Sequence, residues 1–229
     1  LQAPISSYTI SGSTIVFASA LTSADSIDFI TVLGDVLDLG VPSDGAVGNT
    51  QLADTLKVGK QSIWVPATSM VPTASNGCAS VATVETTSGR PDMNVLDFDK
   101  DSDEHAQFSV AFPKSWNAGT VTFQFFWSGL AATTGVSMGL QGVAFADNDS
   151  IDTAYGTAVV VDDDAQGAVE ELLVSAESGA VTIAGSPGDD ELCYFRIFRD
   201  VSDSNDDMAG DCRLHGVKLF FTVDAYNDA

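Results

Sequence analysis

The chain has 229 residues, 45% of them hydrophobic, and carries 32 acidic residues against 9 basic ones for a net charge of -23. That imbalance argues against nucleic acid as a partner, because phosphates are neutralised by clustered Lys and Arg, and against an anionic membrane surface for the same reason. No apolar run approaches the roughly 20 residues that span a bilayer, so membrane insertion is not expected.

From the N-terminus, Tyr8-Thr9-Ile10 and Thr14-Ile15-Val16-Phe17 flank Ser11-Gly12-Ser13, the pattern of a hairpin closed by a Gly-containing turn. Ser26-Ile27-Asp28-Phe29-Ile30-Thr31-Val32 alternates as a third strand should. A Pro/Gly/Asp/Asn-rich connector follows, with a short helix expected over 49–58. The expected organisation is a small β unit over 1–40, a linker or attachment segment over 41–61, and a β-sandwich over 62–229. The first 61 residues hold too little apolar surface to fold alone and are expected to pack on a partner or a second copy.

The third region sets the fold class. In Gln107-Phe108-Ser109-Val110-Ala111-Phe112 and Thr120-Val121-Thr122-Phe123-Gln124-Phe125 polar and apolar residues alternate, which puts one set on each face of a strand. Strands are expected over 62–70, 95–98, 106–112, 121–127, 136–146, 155–161, 170–174, 181–184, 193–198 and 216–223, with a single helical turn within 165–175. This spacing is that of an all-β, antiparallel, jelly-roll-like sandwich. Phe108, Val110, Phe112, Val121, Phe123 and Phe125 are expected to face inward. The acid is expected in loops, over 97–104, 147–152, 162–164, 189–191 and 200–211.

Candidate sites are few. Asp97, Asp99, Asp101, Asp103 and Glu104 suggest a hard cation such as calcium, which takes several oxygens. An EF-hand loop starting at Asp97 would need Gly at its sixth position and Glu at its twelfth, where Ser102 and Phe108 stand. Asp203, Asp206, Asp207 and Asp211 form a second candidate calcium cage, weighed against a plain solvated acidic loop. Otherwise no cofactor is expected. His105 and His215 lie in no hydrolase or metalloprotease motif. With 32 acids, some carboxylate pair always falls at a glycosidase distance, so such a pair carries no weight and no enzyme is expected. Trp64, Trp116 and Trp127 are weighed as a sugar-stacking platform against core packing, with Trp116, in the 113–119 turn, the most exposable and the candidate binding residue. Cys193 and Cys212 are candidates for a bridge between strands. The odd count of Cys78, Cys193 and Cys212 favours free, buried thiols. The acidic charge suits a saline, marine or halophilic medium. The chain begins LQAPISSY without an initiator Met, as a processed product or a piece of a longer protein would.

The segment YTISGSTIVFASALTSADSIDFITVLG resembles the small β unit that recurs in phage tail fibres, and VPSDGAVGNTQLAD resembles a fibre linker. The C-terminal block resembles a domain of marine tailed-phage structural proteins. It does so through Trp64-x-Pro66-Ala67-x-x-Met70, Leu96-Asp97-Phe98-Asp99, Phe112-Pro113-x-x-Trp116, Trp127, and the ending from Gly216-Val217-Lys218 to Asn227-Asp228-Ala229. The resemblance implies a virion location, with other virion proteins and further copies of itself, as a homotrimer, for partners. It implies a fibre or spike that attaches to a host-surface glycan or protein by multivalent binding, and brings no catalytic residues. The alternative is a capsid decoration protein that clamps neighbouring capsomers.

Overall fold

In the computed structural model, residues 8–11, 14–26 and 59–225 are described. The chain divides into two compact units, Leu1–Gly48 and Asn49–Ala229.

In the first unit the alternating segments form a hairpin, β1 (Tyr8–Ser11) and β2 (Thr14–Phe17), with Tyr8 opposite Phe17 and Ser11 opposite Thr14. The turn residues Gly12 and Ser13 lie outside the described residues, as do all but the first residue of the strand expected from Ser26 to Val32 and the whole helix expected over 49–58.

The second unit holds β3 (Gly59–Pro66), a 3-10 turn (Ala67–Ser69), β4 (Val71–Pro72), β5 (Ala82–Val84), β6 (Met93–Phe98) and β7 (His105–Ala111). There follow β8 (Thr122–Gly129), β9 (Gly135–Phe145), β10 (Val159–Asp164), β11 (Leu173–Val174), β12 (Ile183–Ala184), β13 (Leu192–Arg199) and β14 (Cys212–Val223). Two sheets result. The first runs β10-β9-β13-β7-β4, with β12 added in parallel to β9. The second runs β11-β8-β14-β6-β5; β3 lies along Gly216–Val223 of β14, and β6 along Cys212–Leu214. The chain alternates between sheets, β6 to β7 to β8 to β9, so hydrogen-bonded neighbours are distant in sequence except in the pairs β5–β6 and β9–β10. This is the expected antiparallel, jelly-roll-like sandwich.

Alternation fills the space between the sheets. Phe108, Val110 and Phe112 face in from the first sheet, and Val121, Phe123 and Phe125 from the second; all six are buried. Phe112 meets Phe195 and Phe221 edge-on, with ring centroids 6.2 and 5.2 Å apart, so the aromatic layer crosses the sandwich. Cys78, Cys193 and Cys212 are free and buried, and burial, the leading cause, pushes each thiol up to about 12. Such thiols behave as small apolar side chains.

The strand pattern departs from expectation at several places. β3 begins at Gly59, inside the segment expected as a linker, and stops at Pro66, because 67–69, expected as strand, wind into the 3-10 turn. β10 begins at Val159, not at 155, and β5 falls where no strand is expected. Residues 162–164, expected in a loop, complete β10 opposite Ser137, Val136 and Gly135. The strand tolerates these acids because the Ser137 hydroxyl donates to Asp162 and the Trp127 indole donates to Asp163. β14 begins at Cys212, not at 216, because an irregularity between Leu214 and Gly216 interrupts the alternation around His215. No helical turn forms within 165–175. Gly167 N–H donates to the Ala132 carbonyl and Glu170 N–H to the Gly129 carbonyl, tying the segment to the β8–β9 connection. Among the described residues, no helix is long and apolar enough to cross a membrane.

Candidate ligand-binding face

The outward residues of β7, β13 and β9 are set side by side by register. Tyr194 lies between Ser109 and Val143, Arg196 between Gln107 and Gln141, and Phe198 between His105 and Gly139. Residues set side by side across the strands are 34 to 93 positions apart in the sequence, and only the strand order brings them together. At Gly139 a Cβ would fall 2.3 Å from the Phe198 ring, so a larger residue would have to displace that ring, which stacks on His105 at 5.4 Å.

The connection from β9 to β10 folds back over this face. Gln141 Nε2 donates to the Gly156 carbonyl (3.1 Å) and Gly156 N–H donates to the Gly142 carbonyl (3.0 Å). A Cβ at Gly156 would fall 2.6 Å from the Thr182 carbonyl, so only glycine lets the backbone come this close. The neighbouring Tyr155 ring is thereby held 5.0 Å from the Arg196 guanidinium. The result is a groove of about 280 Å³ lined by Gln107, Val143, Phe145, Ile151, Thr153, Tyr155 and Tyr194. The Phe145 and Tyr194 rings meet edge-on at 6.1 Å, and Ile151 on the rim is 85% exposed.

Arg196 is fixed from the side: its Nε and Nη2 both donate to Gln141 Oε1, at 3.0 and 2.5 Å. Burial raises the Tyr155 phenol pKa, with Tyr194 adding to the effect and Arg196 opposing it, so the hydroxyl keeps its proton at neutral pH. The groove therefore offers ring faces and edges, amide and hydroxyl groups, and one nearby cation. No carboxylate, histidine or cysteine is among its lining residues. It has the means to hold a flat polar ligand and lacks an acid–base or nucleophilic pair.

The residues singled out in the sequence lie elsewhere. Trp116, expected to be the most exposable indole, is 2% exposed. Asn117 N–H donates to the Thr222 carbonyl and Trp116 pairs with Val223, so the turn folds onto β14 and the ring stacks on Phe112 at 4.2 Å. A ring covered in this way offers no face to a ligand. Trp127 is fully buried, and Trp64 sits on the outer face of the other sheet, edge-on to Phe126 at 4.9 Å. The three tryptophans therefore form no common platform.

The four aspartates considered for calcium do not converge. Asp203 accepts from Asn205 N–H, Asp207 from Gly135 N–H, and Asp206 is bound to the buried Arg199; Asp211 is exposed. Arg199 draws Asp206 inward, away from its neighbours. In the earlier acidic run, Asp99 and Glu104 close the turn on themselves, with Asp99 N–H donating to Glu104 and Asp101 N–H to Asp99. Among the described residues, no group of three or more His, Cys, Asp or Glu is arranged to hold a metal ion.

A second, more open cavity of about 600 Å³ is lined by Asp162, Asp163, Asp164, Ala165, Gln166, Ser204, Asn205 and Asp207. Its acids hold the loops together: Asp162 accepts from Ser137 Oγ and Asn205 Nδ2, Asp163 from Trp127 Nε1, and Asp207 from Gly135 N–H.

Both histidines are partly buried, and burial depresses both pKa values, aided by Arg196 at His105 and by Arg213 at His215. The folded chain therefore resists protonating them. As pH falls below the unfolded value of about 6.5, the unfolded chain takes up protons first and stability drops. Asp97 and Asp163, raised chiefly by burial, act with the opposite sign and in the carboxyl range above about 3.9. Denaturant midpoints measured from pH 7 to 5.5 should fall, and the slope should flatten when His105→Gln and His215→Gln are combined. An unchanged slope in that variant would contradict the assignment.

No family model matches the chain, and no curated protein matches it. Among solved structures it is similar to a cycloisomaltooligosaccharide glucanotransferase of Paenibacillus sp. complexed with cycloisomaltoheptaose. There the identity is 14% and the TM-score 0.37, over 65% of this chain and 17% of that one. It is also similar to a family 11 carbohydrate-binding module from Clostridium thermocellum in complex with a mixed-linked tetrasaccharide (10% identity, TM-score 0.35, 77% of this chain and 95% of that one). A third is a xylan-binding domain from Paenibacillus barcinonensis (10% identity, TM-score 0.38, 69% of this chain and 92% of that one).

Proposed function

We propose that the groove over β7, β9 and β13 binds carbohydrate and that the chain is a non-catalytic attachment module. The observation that supports this is the make-up of the groove. Tyr155, Tyr194 and Phe145 surround it, Gln107 and Thr153 supply amide and hydroxyl groups, and no carboxylate lines it. A sugar ring has an apolar C–H face that rests on an aromatic ring and hydroxyl groups that pair with amides, and this site offers both kinds of partner on a rigid sheet.

A virion location, with several copies engaging a host surface at once, belongs to the same proposal and is supported by the sequence resemblance alone. Weak single sites then gain avidity of about 10²–10⁴ by simultaneous engagement.

The test is calorimetric titration with a panel of oligosaccharides, comparing the wild type with Tyr155→Ala and Tyr194→Ala. Loss of one stacking ring is expected to weaken binding about tenfold or more, equivalent to roughly 1.4 kcal/mol, with melting little changed. Trp64→Ala, on the opposite face, should bind as the wild type does. Binding unaffected by both tyrosine substitutions, or binding to no glycan at all, would contradict the proposal.

A further inference from the structure

We infer that the glycan taken by this groove is acidic, and that Arg196 recognises its carboxylate or sulfate. This rests on the groove's being a glycan site. Three arginines stand on the strands of the sandwich. Arg199 is paired with Asp206, at 2.7 Å, and Arg213 with Glu170 and Asp97, at 3.2 and 3.8 Å. Arg196 is the exception: among the described residues no carboxylate forms an ion pair with it. The chain has 32 acidic residues against 9 basic ones, so an acid was easily placed beside it. Instead its partners are the Gln141 amide oxygen and the Tyr155 ring, both of which leave the positive charge uncancelled.

Those partners fix the guanidinium without using it up. An arginine has five N–H donors in a planar fork. Two go to Gln141 Oε1, which leaves three, including both on Nη1. A half-buried cation with its plane set and its donors free is an oxyanion receptor, because the fork matches two oxygens of a carboxylate or sulfate. Its place suits that role. Arg196 lies two residues along β13 from Tyr194 and touches Tyr155, and both tyrosines line the groove. Of the other titratable groups on this face, Tyr155 keeps its proton because burial raises its pKa, and His105, whose pKa burial lowers with Arg196 as a lesser cause, carries no negative charge in either form, so neither cancels the guanidinium. A sugar on the tyrosines thus has one cation at its edge, in a molecule whose overall charge of -23 repels anions. Preference for an acidic glycan against that field has to come from a local site.

The experiment compares three oligosaccharides of equal length: neutral galactan, oligogalacturonate and sulfated galactan. Each is titrated into the wild type, Arg196→Gln and Arg196→Lys at fixed ionic strength, with melting temperature recorded. At least one acidic ligand should bind the wild type tenfold or more tighter than the neutral one, and which of them does so distinguishes carboxylate from sulfate. Arg196→Gln should erase that ratio, bringing acidic and neutral ligands to the same affinity within that variant. Arg196→Lys, which keeps the charge and loses the fork, should fall between. A merely structural Arg196 would weaken all ligands alike, and that result would overturn the inference. So would neutral galactan binding as tightly as both acidic ligands, which leaves the glycan site itself standing. Competition by polyglutamate as strong as by the acidic glycan would overturn it too, in favour of an acidic protein partner. Binding of none of the three would overturn both readings.

Discussion

Replacing Asp206 by alanine is expected to lower the free energy of unfolding by about 3–5 kcal/mol. The Arg199 side chain is completely buried, and its Nε and Nη2 donate to the two oxygens of Asp206 at 2.8 and 2.7 Å. Its remaining donors reach the carbonyls of Gly210, Met208 and Phe98 at 2.8, 2.9 and 3.3 Å. Those carbonyls satisfy hydrogen bonds and cancel no charge. Without the carboxylate a full positive charge stays inside the sandwich, and Ser137 N–H also loses its acceptor. Replacing both partners with apolar residues, Arg199→Met with Asp206→Leu, should cost far less, since no charge is then stranded. Urea denaturation of the two variants measures the difference. A single variant within about 1 kcal/mol of the wild type would show that water reaches the site, contrary to the structure.

Phe123→Ala is expected to cost about 3–5 kcal/mol, through lost burial and the cavity left behind. Phe123 is completely buried, and the sheet behind it is closed: its N–H takes the Ser178 hydroxyl as acceptor, and Ser178 N–H donates to its carbonyl. Little can move in to fill the space. Its neighbours in the strand, Thr122 and Gln124, face outward and each loses one side-chain hydrogen bond, to Glu177 and to the Ser175 carbonyl, so alanine there should cost about 0.5–1.5 kcal/mol, well below the cost at 123. Equal costs at 122, 123 and 124 would mean that β8 does not have the two-faced character assigned to it.

The fold was legible because its strands are two-faced. Phe108, Val110 and Phe112 alternate with Gln107, Ser109 and Ala111, and a period of two admits one reading. What local alternation does not carry is the reason for an exception. Asp162, Asp163 and Asp164 read as loop because acids are poor strand formers, and their partners, Ser137 and Trp127, are 25 and 36 residues away. Asp206 read as part of a calcium cage or a solvated acidic loop because nothing nearby shows that Arg199, next to the apolar Phe198, turns inward.

The site was less legible than the fold. Attention to tryptophan pointed to Trp116, whose turn is tied to β14 by the Asn117 N–H on the Thr222 carbonyl and whose ring stacks on Phe112 in the core. The groove depends instead on Gln107, Gln141, Tyr155, Tyr194 and Arg196, which stand on three strands and one connection. The one local signal was in Leu192-Cys193-Tyr194-Phe195-Arg196-Ile197-Phe198, where the outward positions hold two aromatics and an arginine in place of small polar residues. That pattern marks a face with something to hold, but its partners are set by strand order.

Backbone amide shifts of the labelled chain, followed while an oligosaccharide that it binds is titrated in, report directly where the ligand sits. The largest changes should fall on β7, β9 and β13 near Gln107, Gln141 and Tyr194, and on the connection that carries Thr153 and Tyr155. Changes gathered around Trp64 and Phe126, or around the acidic cavity at Asp162 and Asp207, would contradict a binding groove on this face.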